Sequence, residues 1–422
     1  MNEKDELNRA HQHIAFYAIA TNPNLRLDLP QVLELAKREL ALTHRSRENN
    51  HLPPWRDFED YNSNILKFRL GQFHPFAEIE VKNLQFPGGS ATSGQGIATR
   101  WVARQILNGT PVLDIIASAN TQYAENGYEA MEISKVVGIK VSAIVELIPG
   151  YELWPPDQLP SDYRKRIAFE VTGSGFRPEA AALVHRFWHG PVYDGPNPFD
   201  LSPSFSKQPV FKKLAKLTEK RSLVRQALLL SVDTAVEFPY TYYGAVEDHI
   251  LAHDRSYQYS QEPFTFGSIE PDVERIRALY SSLEEFKQPA AVRLVIDRLG
   301  RARTSSSPVD KALDLGMALE IALMHENKNT PAANNEITYK IATRAAWLLG
   351  RDKESRKEAY SIANRIYGHR SAAVHTGRLR NEADFLSLNA DGFLQKVALE
   401  ILRRGNFPDW RELVLGDADE NT

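Results

Sequence analysis

Between positions 369 and 377 the chain reads His369, Arg370, Ser371, Ala372, Ala373, Val374, His375, Thr376, Gly377. Two of these side chains could handle a phosphodiester. Histidine exchanges protons near neutral pH, and arginine keeps its charge and grips two phosphate oxygens with a planar fork. RNA carries its own nucleophile, the 2′-hydroxyl, so cleavage needs a proton acceptor or donor and a cation for the charge on the phosphorane. No metal is required, and the products are a 2′,3′-cyclic phosphate and a 5′-hydroxyl. A five-residue offset sets the two side chains about 140° apart on a regular helix. One chain's pair therefore need not face a common point, and a second copy could supply the missing half. The alternative reading is structural, with His375 packed and Arg370 neutralising Glu320 inside a bundle.

The charge around this pair is uneven. Ten Lys or Arg and three acidic residues lie between Lys340 and Arg380, a local +7 in a chain whose total is −3. A basic segment in an otherwise acidic protein fits a docked polyanion, although a solvated helix face would look the same. Arg344, Arg365 and Arg378 are candidates for RNA phosphates, with plain surface charge as the alternative. His369 and Ser371 stand beside the central pair as supporting residues.

Helices must position these residues. Amphipathic spacing runs over Asp272 to Leu283 and Ala290 to Leu299, and a serine-rich loop at Arg303 to Pro308 precedes a helix from about Val309 to Met324. Its apolar face carries Val309, Leu313, Gly316 and Leu323, and Glu320 falls on the same face. A carboxylate there needs a partner, and orienting Arg370 is its expected role. Ile337 to Leu349 reads as a helix stopped by Gly350 in the left-handed conformation. A capping box at Ser355 to Glu358 is expected to start the next, which extends to about Tyr367 and loosens at Gly368. The last spans about Phe393 to Arg404. Four or five helices in about 150 residues make a bundle.

An arginine followed after four residues by histidine, near the end of such a bundle, resembles the R-x4-6-H motif of the HEPN superfamily. Ala318, Leu319 and Glu320, then Glu336, Ile337, Thr338, Tyr339 and Lys340, then Arg370, Ser371, Val374 and His375 resemble its Apea-like branch. Ala291, Val292 and Arg293 and the serine-rich loop extend the likeness, which covers about Phe266 to Leu413. Many HEPN nucleases carry Asn, Asp or His after the arginine, where this chain has Ser371, and Thr376 here separates the histidine from Gly377. The resemblance implies a metal-independent ribonuclease with Arg370 and His375 catalytic, no cofactor, and two motifs brought together across a homodimer or higher oligomer.

The remainder reads differently. Helical spacing over Leu7 to Ala20 and Leu29 to Thr43 opens the protein, followed from about Phe68 by short runs expected to be extended, at Ala77 to Val81, Val112 to Ala117 and Val141 to Leu147. Pro-rich loops and a helical run from Val210 to Val232 follow. The fold class is thus α+β: an N-terminal mixed α/β region (1–265), an all-α HEPN bundle (266–413) and a polar tail (414–422). The glycines 88, 89, 94 and 96 lack the Lys-Ser or Lys-Thr of a P-loop and read as a flexible turn. His249 and His253, at i and i+4, lack the H-E-x-x-H order and read as a polar surface helix rather than a metal site. His185, Phe187, Trp188 and His189 could stack on a base but fit an aromatic packing cluster better.

With 42% hydrophobic residues a chain of 422 can fill a core, and the absence of cysteine excludes disulfides, thiolate zinc sites and a cysteine nucleophile. No secretory signal is read at the start, nor an apolar run near the ~20 residues that span a bilayer. A cytoplasmic protein without membrane contact is expected. Its leading reading is an endoribonuclease acting as a toxin-like, abortive-infection effector against phage, whose N-terminal region senses a trigger or substrate. Alternatives are a catalytically silent module binding RNA or a nucleotide, and a dimeric signalling scaffold.

Overall fold

The computed structural model describes residues 3–47, 63–88, 91–160, 163–164, 180–193, 209–259, 268–325 and 337–415. Gly89, Ser90, Glu336 and nearly all of the polar tail lie outside these. The architecture is α+β, with a six-stranded antiparallel sheet and a helical C-terminal part.

Two helices, α1 (Glu3–Thr21) and α2 (Leu29–Arg47), open the chain as their spacing requires. Two of the expected extended runs are helical instead: α4 covers Phe76–Val81 and α6 covers Val112–Glu125, with α3 (Asn64–Arg69) before them and α5 (Ile97–Leu107) between. In α6 the buried residues Ile115, Ala119 and Tyr123 recur every four positions. A short apolar run does not show its period, so Val112 to Ala117 alone could not tell helix from strand. The third run becomes a strand only at Val145–Ile148. A small hairpin pairs β1 (Asn83–Gln85) with β2 (Ala91–Ser93) beside the glycine-rich turn.

The main sheet has the order β4-β5-β6-β3-β7-β8: β3 is Tyr128–Val136, β4 Val145–Ile148, β5 Tyr151–Trp154, β6 Ala181–His189, β7 Tyr240–Ala245 and β8 Arg255–Gln258. Central β3 is buried at every position but Glu129, because both faces are covered. Its Val136 joins the largest core, while Met131 and Ile133 pack on the opposite face with Trp154 and Tyr242. The long helix α7 (Pro209–Ser231) inserts Leu223, Ala227 and Leu230 into that largest core, which continues into the C-terminal helices through Val295, Leu299 and Leu319. Hydrophobic packing therefore crosses the boundary expected at 265. His249 and His253 are not on a helix. They lie in the irregular stretch between β7 and β8, and His249 is buried.

The C-terminal part comprises α8 (Val273–Glu285), α9 (Pro289–Thr304), α10 (Pro308–Met324), α11 (Ile337–Leu349), α12 (Lys353–Thr376), α13 (Glu382–Ser387), α14 (Ala390–Arg403) and α15 (Trp410–Leu415). Three local expectations change. Gly350 has no positive φ; its missing Cβ makes room for Arg356, whose backbone nitrogen would lie 2.6 Å from that atom. The N-cap of α12 is Asp352, boxed with Ser355, three residues upstream of the expected start. Because the cap is stronger with a carboxylate that accepts two backbone amides, the helix begins earlier. The helix also does not loosen at Gly368 but runs to Thr376, where Gly377 (φ 67°) turns it off in the left-handed region.

Candidate functional site: the α12 helix

All of the central motif lies on α12, and its two halves diverge. Arg370 is on the side that packs against α10, in line with the buried Ala359, Ala363, Ile366 and Ala373. Its Nη2 pairs with Glu320 Oε2 at 3.1 Å, and Tyr367 donates its phenol to the same oxygen at 3.3 Å. The guanidinium stands 5.3 Å from the Tyr367 ring centre. Gly316 makes this possible: a Cβ there would lie 2.3 Å from both Cβ and Cγ of Arg370. The arginine stem thus lies on bare helix backbone, with Nε buried and without a hydrogen-bond acceptor among the described residues. Burial and the neighbouring Glu320 charge raise the Tyr367 phenol above its usual range, so it serves Glu320 as a neutral donor.

His375 sits on the other side of the helix. It is exposed in the last turn and makes no hydrogen bond or ion pair among the described residues. Both nitrogens are thereby open to solvent or a ligand. Ser371, one turn earlier, is half-buried with an uncommitted hydroxyl. Since α12 is continuous from 353 to 376, the ~140° divergence of Arg370 and His375 holds in three dimensions. Within one chain the structure does not bring them together.

The other expected residues divide into committed and free. Arg344 donates to Leu323 O at 2.7 Å and lies over the Trp410 ring, closing the C-terminal end of α10. Arg365 and His369 both bind Asp384 of α13, the His369 contact being 2.8 Å from Nε2 to Oδ2. Hydrogen bonds from Arg365 and then His369 hold the Asp384 carboxyl below its usual range. His369 is buried, its Nδ1 has no partner among the described residues, and its ring meets Phe385 edge-on at 5.4 Å. These three residues fasten α13 to α12. Arg378 remains exposed, its side chain without a hydrogen bond or ion pair among the described residues.

Sequence reading missed Arg380, Tyr367, Asp384 and the packing role of Gly316. A glycine in the middle of each of two helices, at 316 and 368, was the available signal for close approach. It also missed a row across the sheet in which Tyr151, His185, Glu132, Tyr243 and Arg255 stand in register on adjacent strands, Tyr151, Glu132 and Tyr243 buried and the other two partly exposed. Arg221 of α7 pairs with Glu132 and donates to the Tyr243 oxygen at 2.8 Å. His185 stacks on Tyr151 at 4.1 Å, His189, also on β6, is turned to Gln85 O at 2.8 Å, and Trp188 between them is exposed. Among the described residues no group of three His, Asp or Glu gathers in a metal-holding arrangement, and no helix is long and apolar enough to cross a membrane.

Comparison with models of known protein families, with curated proteins and with solved structures finds no match to this chain.

Proposed function

We propose that the C-terminal helices act on RNA as a metal-independent endoribonuclease of the HEPN type, with His375 as the proton-transfer residue. The observation that carries this reading is an exposed histidine, without a hydrogen bond or ion pair among the described residues, at the end of a helix rich in Lys and Arg; the arginine of the motif is fixed by Glu320 and Tyr367 on the other side of the same helix. In the reaction the 2′-oxygen forms a bond to phosphorus and the bond from phosphorus to the 5′-oxygen breaks. His375 takes the 2′-hydroxyl proton, and the leaving 5′-oxygen receives one from water or from His375 of a second copy. Arg370, divergent from its own His375, enters this scheme across a homodimer, in which each chain supplies part of a composite site. A toxin-like role in phage defence, released by a trigger sensed in the N-terminal region, belongs to the same reading. Sequencing of 5′-hydroxyl ends generated in total RNA by the wild-type protein and by His375→Ala tests it. Equal ends from both would sink it.

The seating of Arg370 on Gly316 favours a second reading. In it Arg370 is a packing residue, and the bundle binds RNA without cutting it. Affinity for RNA with no 5′-hydroxyl products selects this reading.

A further inference from the structure

The face of α12 opposite Arg370 holds another arginine. Gly377 reverses the chain at the end of the helix, and three residues later Arg380 has folded back over Gly368. A Cβ placed on Gly368 would meet only this guanidinium, with Nη1 at 3.5 Å and Cζ at 3.8 Å. Arg380 is exposed and makes no hydrogen bond or ion pair among the described residues. This is unlike Arg344, Arg365 and Arg370, each of which is committed within the chain.

Helical geometry then places Gly368 and His375 within about 20° of each other and roughly 10 Å apart along the axis, with Ser371 between them. Side chains on a helix lean toward its N-terminus, so the imidazole inclines toward Ser371 and the guanidinium that lies over Gly368. We propose that an RNA phosphodiester docks on this exposed face between Arg380 and His375, and that Arg380, rather than Arg370 of the same chain, is the cation that grips it. The planar fork takes two non-bridging oxygens, Ser371 offers a hydroxyl donor, and His375 is left beside the sugar oxygens. Gly368 keeps the floor of the site flat, and Arg378 on the same turn adds a second uncommitted charge.

This inference rests on RNA being the ligand of the bundle but not on its being cut, and the experiment separates the two. Binding of a fluorescent 2′-O-methyl RNA oligonucleotide, which lacks the attacking hydroxyl, is measured by anisotropy over a range of salt for wild type, R380A, R380K, R370A and K216A. Cleavage of the unmodified oligonucleotide is followed in parallel. R380A should bind about tenfold more weakly, with a salt slope shallower by roughly 0.7, the loss expected for one phosphate contact on a single strand. R380K should recover part of the affinity and the slope, because it keeps the charge and loses the fork. K216A, which removes an exposed charge from α7, should match wild type. Wild-type affinity and slope in a folded R380A would overturn the inference, even where cleavage depends on His375. Binding that depends on Arg380 without any cleavage would sustain it and end the nuclease reading. Neither binding nor cleavage by wild type would end both.

Discussion

Gly316 and Gly368 lie inside neighbouring helices, and the same substitution should act on them with opposite sign. In a helix interior, glycine to alanine ordinarily stabilises by about 1 kcal/mol, because the unfolded chain loses freedom. At Gly368 the new Cβ meets nothing nearer than the movable Arg380 guanidinium at 3.5 Å, an ordinary contact. Gly368→Ala should therefore stabilise by about 0.5–1 kcal/mol. At Gly316 the new Cβ would lie 2.3 Å from Cβ and Cγ of Arg370. Carbon atoms pack favourably at roughly 3.5–4.0 Å, so more than about 1 Å must be found. No rotamer of Arg370 provides it, since its own Cβ is fixed to the α12 backbone. The two helices must separate, at an overpacking cost of about 1–3 kcal/mol. Loss of the Arg370–Glu320 pair adds less than about 1 kcal/mol because both groups are partly exposed. After the helix-propensity gain, Gly316→Ala should destabilise by about 1–2 kcal/mol, leaving the two variants about 1.5–3 kcal/mol apart. Urea unfolding of both proteins, followed by far-ultraviolet circular dichroism, gives the comparison. A Gly316→Ala protein as stable as Gly368→Ala would show that α10 and α12 do not approach through Gly316, and the account of how Arg370 is held would fall with it.

If His375 is the proton-transfer residue, His375→Ala should lower RNA cleavage by roughly 10²- to 10⁴-fold while leaving the melting temperature unchanged, because the side chain is exposed and makes no hydrogen bond or ion pair among the described residues. Wild-type cleavage should persist in excess EDTA; a strict need for added Mg²⁺ or Mn²⁺ would point to another mechanism. Acid should destabilise the N-terminal region, where burial pushes His189, His249 and His253 down to about 4. These folded values lie below the unfolded one, so the stability is complete above about pH 6.5 and is lost as pH falls toward 4. Between pH 7 and 5 each buried histidine costs at most about 2 kcal/mol, less for the more exposed His253, and a urea midpoint unchanged over that interval would refute the burial argument. Finally, mixing His375→Ala and Arg370→Ala chains, each inactive alone, should restore part of the cleavage if the site is composite. No recovery in a verified mixed dimer would remove Arg370 from the reaction.

The sequence by itself determined the existence of the longer helices of the C-terminal part, because their period is a local property: α11 has the bounds that its apolar spacing gives, α10 begins one residue earlier, and α9 runs on to Thr304 into the expected serine-rich loop, whereas the short α13 and α15 gave no period to read. Glu320, a carboxylate on an apolar face, signalled its need for a cation, and Arg370 is that cation. The basic character of the 340–380 segment was equally legible, since charge is counted along the chain. Tertiary structure alone decided which of those charges are free. Arg344 is drawn to a carbonyl left open at the end of α10, and Arg365 to Asp384, after chain reversals that no local pattern encodes. It also decided the state of two short apolar runs, which became helices because helix-spaced contacts with the rest of the N-terminal core outweighed their ambiguous local preference. The sides of α12 followed from packing as well. Gly316 admits Arg370 on the buried side, and the chain reversal at Gly377 lays the Arg380 guanidinium over Gly368, on the face of the helix from which Arg370 diverges.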